Sequence, residues 1–571
     1  MTAGVTDTTY APGGGSPLGR LLWHRQLEHY PRGARRFSCL AIAVLATIVL
    51  YYELYVAGAV SPAIMAQYHL SFSTYVWITA IGNVFGAFAS LVAGLADRWG
   101  RANLVVYGLG VTGVLVLFAL PNSPNGGVFA VVFTLIAFVE GIILVATPAL
   151  VRDFSPQLGR ASAMGFWTLG PVAGSLVVAE VSSHTIDSLP RWQSQFTICG
   201  IVGLVMFVIA LFGLRELSPS IRDQLMVSMK DRALIESRAR GIDVEEGLKH
   251  PWRQMLHLDI IGSAFAIAVF LIIYYTAVGF FTIYFTTLFG YSLADANGLG
   301  NWFWAFDAVA LILVGLLSDR VRVRKPFMVV GAIGTVAMTA VFASRTGHPD
   351  TGYYTFVWII SLLAVFMAIA YAPWMASFTE TVERRNPALT ATGLAVWGWI
   401  TRVVVALSIT VLPFVINSMT PLVENGAQVS ELSTKYAAQL QTLQAIDPAT
   451  QAALGANPND AAAGAKAVGE IAAAQSVSPA EAVTKLRAVA TIPLADLAFL
   501  SAHGTEVAQA AEEAPGQWQN WWWVCIGGEI VFLPLILVMA GRWSPRRARE
   551  DMIAHEAKVQ QELAAMQEGK G

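Results

Sequence analysis

The chain has 571 residues, 55% of them hydrophobic and 13% charged, with a formal net charge of −2. A soluble globular protein carries about 25% charged residues, so much of this chain is excluded from water. The net charge points to neither an acidic nor a basic partner, and no nucleic acid is expected; the three cysteines (Cys39, Cys199, Cys525) lie in apolar runs without disulfide or metal spacing.

Residues 1–36 are polar and then basic (Arg20, Arg25, Arg32, Arg35, Arg36), and the apolar run that follows is too long for a signal h-region. They are expected to form a cytoplasmic N-terminal segment. A membrane helix needs about 20 mostly apolar residues to cross about 30 Å of hydrocarbon. That rule predicts twelve spans, the first six near 37–60, 74–95, 102–120, 128–150, 161–181 and 195–214. The other six are expected near 259–289, 298–317, 326–344, 353–376, 391–417 and 520–541. With the amino terminus inside, cytoplasmic segments hold 29 of the 36 Lys and Arg residues, which predicts that both termini are cytoplasmic.

Two turns echo one another. Gly94-Leu-Ala-Asp97-Arg98-Trp-Gly100-Arg101 follows span 2, and Gly315-Leu-Leu-Ser-Asp319-Arg320 follows span 8. Asp97 and Asp319 are 222 residues apart, the same offset that separates the starts of spans 1 and 7. Spans 5 and 11 repeat as Ser162-Ala-Met-Gly165 and Thr390-Ala-Thr-Gly393, which places Arg402 where Gly174 stands. The expected domains are bundles over 37–214 and 259–417 plus 520–541, joined by a cytoplasmic linker, 215–258.

These turns resemble the Gly-x-x-x-Asp-Arg/Lys-x-Gly-Arg signature of the major facilitator superfamily. Ala93 replaces the leading glycine of the first copy, and Arg322 replaces the later glycine of the second. The resemblance implies an all-α membrane fold of two pseudo-symmetric six-helix bundles that transports a solute by alternating access. It implies gating turns at Asp97, Arg98, Gly100, Arg101, Gly315, Asp319 and Arg320; the plainer alternative is that the arginines only anchor the loop. Gly165-x4-Gly170-Pro171-x2-Gly174 in span 5 is close to a pattern of proton-coupled drug antiporters. Their span-4 arginine, however, is replaced by Ala137, three residues before Glu140-Gly141.

Residues 418–519 form an extracytoplasmic insert; its stretch 421–517 holds 27 alanines and 10 acidic against 4 basic residues. Asp447-Pro448 and Ser478-Pro479-Ala-Glu481 are helix starts. The insert reads as a spacer or lid, or as a partner-binding cap. A linker helix is expected from Ser218-Pro219 to Arg240, and a polar cytoplasmic tail from Arg542. No phosphate-binding loop, catalytic constellation or metal cluster is present, so neither an enzyme nor a cofactor nor ATP drive is expected.

A charge at the bilayer centre costs about 2.5–3.5 kcal/mol, so each needs a reason. Glu53, Glu140, Asp307, Arg402 and Glu529 fall within spans. In the family's arrangement the first four lie at or near the central cavity, with Glu529 away from it. Asn301, Trp304 and Asp307 share a helix face, as do Trp399 and Arg402; Tyr275, Gly279, Thr282 and Thr286 form a polar stripe. Arg402 is expected to anchor an anionic group or pair with Asp307 or Glu53, and Glu53 and Glu140 are candidate proton carriers or structural carboxyls. The expected site adds Tyr52, Tyr275, Trp304 and Trp399. The reading is a multi-pass protein of the inner (plasma) membrane moving a small organic solute with protons as the coupling ion. A multidrug or metabolite exporter and a non-transporting membrane sensor or assembly protein are the rivals.

Overall fold

A computed structural model describes residues 22–91, 99–154, 159–218, 221, 255–385, 390–539 and most of 541–561. The linker helix expected from Ser218-Pro219 lies almost wholly outside the described residues, as do Asp97 and Arg98 of the first turn.

The first half comprises β1 (Gln26–Leu27), α1 (Ala34–Ala59), α2 (Ser61–Tyr68), α3 (Phe72–Leu91) and α4 (Arg101–Val114). It continues with α5 (Gly126–Phe154), α6 (Gly159–Thr185), α7 (Trp192–Gly213) and β2 (Glu216–Leu217). The second half comprises α8 (Leu258–Phe270), α9 (Ile272–Leu288), α10 (Leu293–Val321), α11 (Lys325–Arg345), α12 (Tyr353–Arg385) and α13 (Thr390–Val415). The insert holds α14 (Met419–Lys435), α15 (Ala437–Gln444), α16 (Pro448–Ala456), α17 (Ala461–Gln475) and α18 (Pro479–Val489). It runs into α19 (Leu494–Leu535).

Among the described residues, ten helical stretches are long and apolar enough to cross a membrane, Leu258–Leu288 counting as one. Helices α6 and α19, which stand where spans 5 and 12 are expected, fall outside that set. Glycine, serine and threonine dilute the first, and the Trp518-Gln-Asn-Trp521 stretch dilutes the second. Both pack within the bundles all the same, α6 on α1 and α19 on α8 and α11. Exposed apolar side chains such as Phe118, Val131, Leu316, Trp358 and Phe414 point outward, as a lipid-facing surface requires.

The halves meet chiefly through α6 on α10 and α3 on α13, two contacts that the internal repeat exchanges. Helices α1 and α9 add a third. At the end that carries the insert, Asn297 Nδ2 donates to the Ala59 carbonyl (3.0 Å) and Asn301 Nδ2 to Ser183 Oγ (2.9 Å). There α14 also leans on α2 and α3, so the insert touches both halves.

The opposite end is closed by a clasp. Gln26–Leu27 pairs in parallel with Glu216–Leu217, tying the segment before α1 to the chain after α7. Arg25, almost wholly buried, donates from Nε to Asn103 Oδ1 at 3.0 Å and from its Nη atoms to the carbonyls of Leu211 and Leu22. Glu216 Oε2 accepts from the backbone N–H groups of Arg101 (2.7 Å) and Ala102 (3.3 Å). Those are two of the unsatisfied donors at the start of α4, where a carboxylate also meets the positive end of the helix.

In the insert, Asp447 and Ser478 cap α16 and α18 by accepting from Ala449 N–H and Glu481 N–H, and Asp460 caps α17 in the same way. Two small cores hold it, one around Ile446, Ile471 and Ala482 and one around Leu432, Tyr436 and Ile492. Its last helix does not stop at the expected boundary near 519: α19 runs 42 residues without a break, from the insert into the bundle. Pro515, placed by the sequence reading within the insert, therefore lies inside a helix.

Candidate functional site

The central cavity lies between α1 and α6 of the first half and α9, α10, α12 and α13 of the second, with Leu271 of the break before α9. It encloses about 630 Å³ of atom-free space, its open mouth included. Tyr51 and Tyr55 enter from α1, Tyr274 and Tyr275 from α9, Tyr371 from α12 and Trp397 from α13. Thr168 and Pro171 of α6 and Asp307 of α10 complete its polar and kinked side. A smaller cavity nearer the insert end is lined by Tyr55, Ser175, Thr282, Asn297 and Trp304.

Local structure explains who points inward. Tyr51 and Tyr55 are one helical turn apart and share a face of α1. Tyr52 and Glu53, rotated by about 100° and 200°, turn away from the cavity toward α4 and α7. The Glu53 carboxylate accepts from Thr112 Oγ1 at 2.9 Å and fits against Gly203, where a Cβ would collide with its Oε1. Tyr52 and Glu53 are therefore corrected: both are buried in the first half rather than exposed to the cavity. On α9 the neighbours Tyr274 and Tyr275 both line it. The helix breaks at Leu271 (φ −85°, ψ 7°), which re-aims its first turn.

Trp399 is also corrected. It is 63% exposed on the outer face of α13, while Trp397, two residues earlier and on the opposite face, lines the cavity. Arg402 is half-buried within electrostatic reach of the Tyr51 and Tyr275 hydroxyls. Neither expected ion pair is formed, since the Asp307 carboxylate faces the cavity and that of Glu53 faces Thr112. Glu140 is buried on α5 within reach of Glu53, and neither of its carboxylate oxygens has a hydrogen-bond partner among the described residues. Trp304 lines the smaller cavity and meets Tyr274 edge-on, with ring centroids 5.1 Å apart. Glu529, buried on α19, accepts from Thr339 Oγ1 at 2.7 Å, outside the cavity.

At the turns, Arg101 Nη1 pairs with Asp153 at 2.9 Å. In the second copy Arg324 pairs with Asp319 at 2.7 Å and with Glu380 at 3.2 Å, while Arg320 is exposed. Each of these pairs lies within one half. Gly100 has φ +90° and Arg322, 222 residues later, φ +59°: the repeat keeps a positive φ even where glycine is lost. Gly315 has open space around it.

Two helix bundles related by an internal repeat, with a cavity between them, define the architecture of a polytopic membrane protein. The family model described as Major Facilitator Superfamily matches residues 43–418, and the chain belongs to that superfamily. A relative from Mycobacterium tuberculosis (strain ATCC 25618 / H37Rv), described as the uncharacterized MFS-type transporter Rv1250, is 30% identical over 155 residues. That match covers 26% of each chain, so this chain spans about a quarter of the relative's length. Among solved structures, a bacterial homolog of the human lysosomal transporter Spinster, inward-facing and occupied, superposes with a TM-score of 0.52 at 16% identity. The superposition covers 84% of this chain and 98% of that one. The proton:xylose symporter XylE bound to 6-bromo-6-deoxy-D-glucose gives a TM-score of 0.53 at 14% identity, covering 68% and 90%. At such identities the likeness is one of fold.

Proposed function

We propose that the chain is a secondary active transporter that carries a small organic solute across the cell (plasma) membrane by alternating access, with protons as the coupling ion. Twelve spans would place both termini and the clasp in the cytoplasm, and the insert outside. The observation that carries the reading is the cavity itself: about 630 Å³ of space between two bundles, ringed by aromatic side chains and holding the buried carboxyl of Asp307. Close-packed interiors leave few voids larger than a water molecule, so an open space lined by polar groups between the halves is not part of a filled core. The contacts between halves at the insert end support a state closed to the outside, with the cavity reached by rocking the halves apart. Proton coupling is supported by Glu140 and Glu53, two buried carboxyls within reach of each other and without an ion-pair partner among the described residues.

The test is flux. The purified full chain, reconstituted into liposomes with an imposed proton gradient, is offered a panel of cationic, anionic and neutral organic solutes. Accumulation of at least one solute, collapsed by a protonophore and lost in Asp307→Asn or Glu140→Gln, is the expected result. Accumulation that survives the protonophore removes the proton and leaves a facilitator. No flux for any solute favours the sensor reading.

A further inference from the structure

The charge inside the cavity is the unexplained feature. Asp307 is 4% exposed on α10 and lines the cavity. Among the described residues its carboxylate has no hydrogen-bond or ion-pair partner, and burial takes it out of water. A carboxylate taken out of water without a counter-charge is strongly disfavoured, so the cavity is electrostatically incomplete while empty. Six aromatic side chains line the same cavity, those of Tyr51, Tyr55, Tyr274, Tyr275, Tyr371 and Trp397. Aromatic faces carry the negative lobe of the ring quadrupole, and they attract desolvated cations.

We propose that this cavity binds an organic cation, an amine or quaternary ammonium bearing apolar bulk, held by the Asp307 carboxylate inside the tyrosine and tryptophan cage. The proposal rests on the reading above that the cavity is the solute site, and it names the class of solute. Among the described lining residues Asp307 is the one acidic or basic side chain, and none is an amide. A polyol would therefore find hydroxyls but no amide fork, and an anion would meet a carboxylate. Arg402, the group expected to hold an anion, is not among the lining residues and has an interaction of its own. It lies within electrostatic reach of Tyr51 and Tyr275 without forming part of the described lining. Asp307 is then the one charged side chain among the described residues that a solute in the cavity would meet directly.

The experiment uses the purified full chain in detergent and measures binding of benzyltrimethylammonium by calorimetry. Benzenesulfonate, 3-phenylpropanol and D-xylose serve as anionic, neutral apolar and neutral polyol comparators. The expected result is saturable cation binding at least tenfold tighter than any comparator, weakened at least tenfold by Asp307→Asn and partly kept in Asp307→Glu. The ligand-free Asp307→Asn protein should melt no lower than the parent, because the change removes a buried charge without stranding a partner. Tighter binding of benzenesulfonate or D-xylose, cation binding indifferent to Asp307→Asn, or no cation binding at all would each overturn the proposal. Cation binding that depends on Asp307 in a protein that moves no solute in liposomes would instead sink the transport reading and leave the cation site standing.

Discussion

Glu53 and Glu529 show how a buried carboxyl is accommodated without an ion pair. Each leans on a threonine of a neighbouring helix, Thr112 at 2.9 Å in the first half and Thr339 at 2.7 Å in the second. The position that faces Glu53 is Gly203, four residues after Cys199; Glu529 itself stands four residues after Cys525. The two halves thus keep a carboxyl–threonine pair beside a buried cysteine, but the acid has moved from the first helix of one half to the last helix of the other. Gly203→Ala forces a methyl into the Glu53 carboxylate and should destabilise by about 1–3 kcal/mol, the usual cost of overpacking. Thr112→Val removes the one hydrogen bond to that carboxylate among the described residues and should cost about 1–3 kcal/mol. Both are read as a fall in melting temperature of the detergent-solubilised protein; an unchanged value for Gly203→Ala would mean that Glu53 lies elsewhere. The sequence marks Glu53 as exceptional, because a charge inside an apolar run is conspicuous. It does not say which way Glu53 faces, since every face of α1 is apolar and the helical period carries little information there. Tyr51 and Tyr55 rather than Tyr52 enter the cavity for the same reason.

At the scale of elements, the start of α4 gathers three constraints in one turn. Gly100 has φ +90°, and a Cβ on it would come within 2.5 Å of Glu216 Oε1, the carboxylate that caps α4. Gly100→Ala should therefore destabilise the first half by about 1–3 kcal/mol through backbone strain and displacement of the cap. Arg322, at φ +59° in the equivalent turn, should accept glycine with a gain of about 1 kcal/mol. Opposite signs in melting temperature for these two substitutions are the expected outcome. A loss at both positions would mean that the turns are not equivalent. The helices themselves were legible because lipid imposes a minimum apolar length and caps announce the insert's short helices, as at Asp447 and Ser478. Two junctions were not. The break at Leu271 carries no proline or glycine, and Pro515 sits inside an unbroken helix. In both cases tertiary packing outweighs the local signal.

At the scale of the whole molecule, the sidedness follows from charge and can be checked without knowing the solute. Single cysteines at Asn459 in the insert and at His257 before α8 are both on exposed positions, and the native Cys39, Cys199 and Cys525 are buried. A membrane-impermeant thiol reagent applied to intact cells should label the first and not the second, with the reverse in inside-out vesicles. Labelling of both from one side would end the arrangement in which an odd number of spans separates the two sites. The duplicated turns made the two-bundle plan readable, whereas the clasp was invisible because β1 and β2 are two residues each and 190 positions apart. That pairing bears on how the protein is made. Its second strand follows α7, so a ribosome delivers it only after all the helices of the first half. The latch over Arg25 can shut only on a finished half. The first bundle is thereby sealed as a unit at the moment its last helix is in hand, before any of the second has been synthesised.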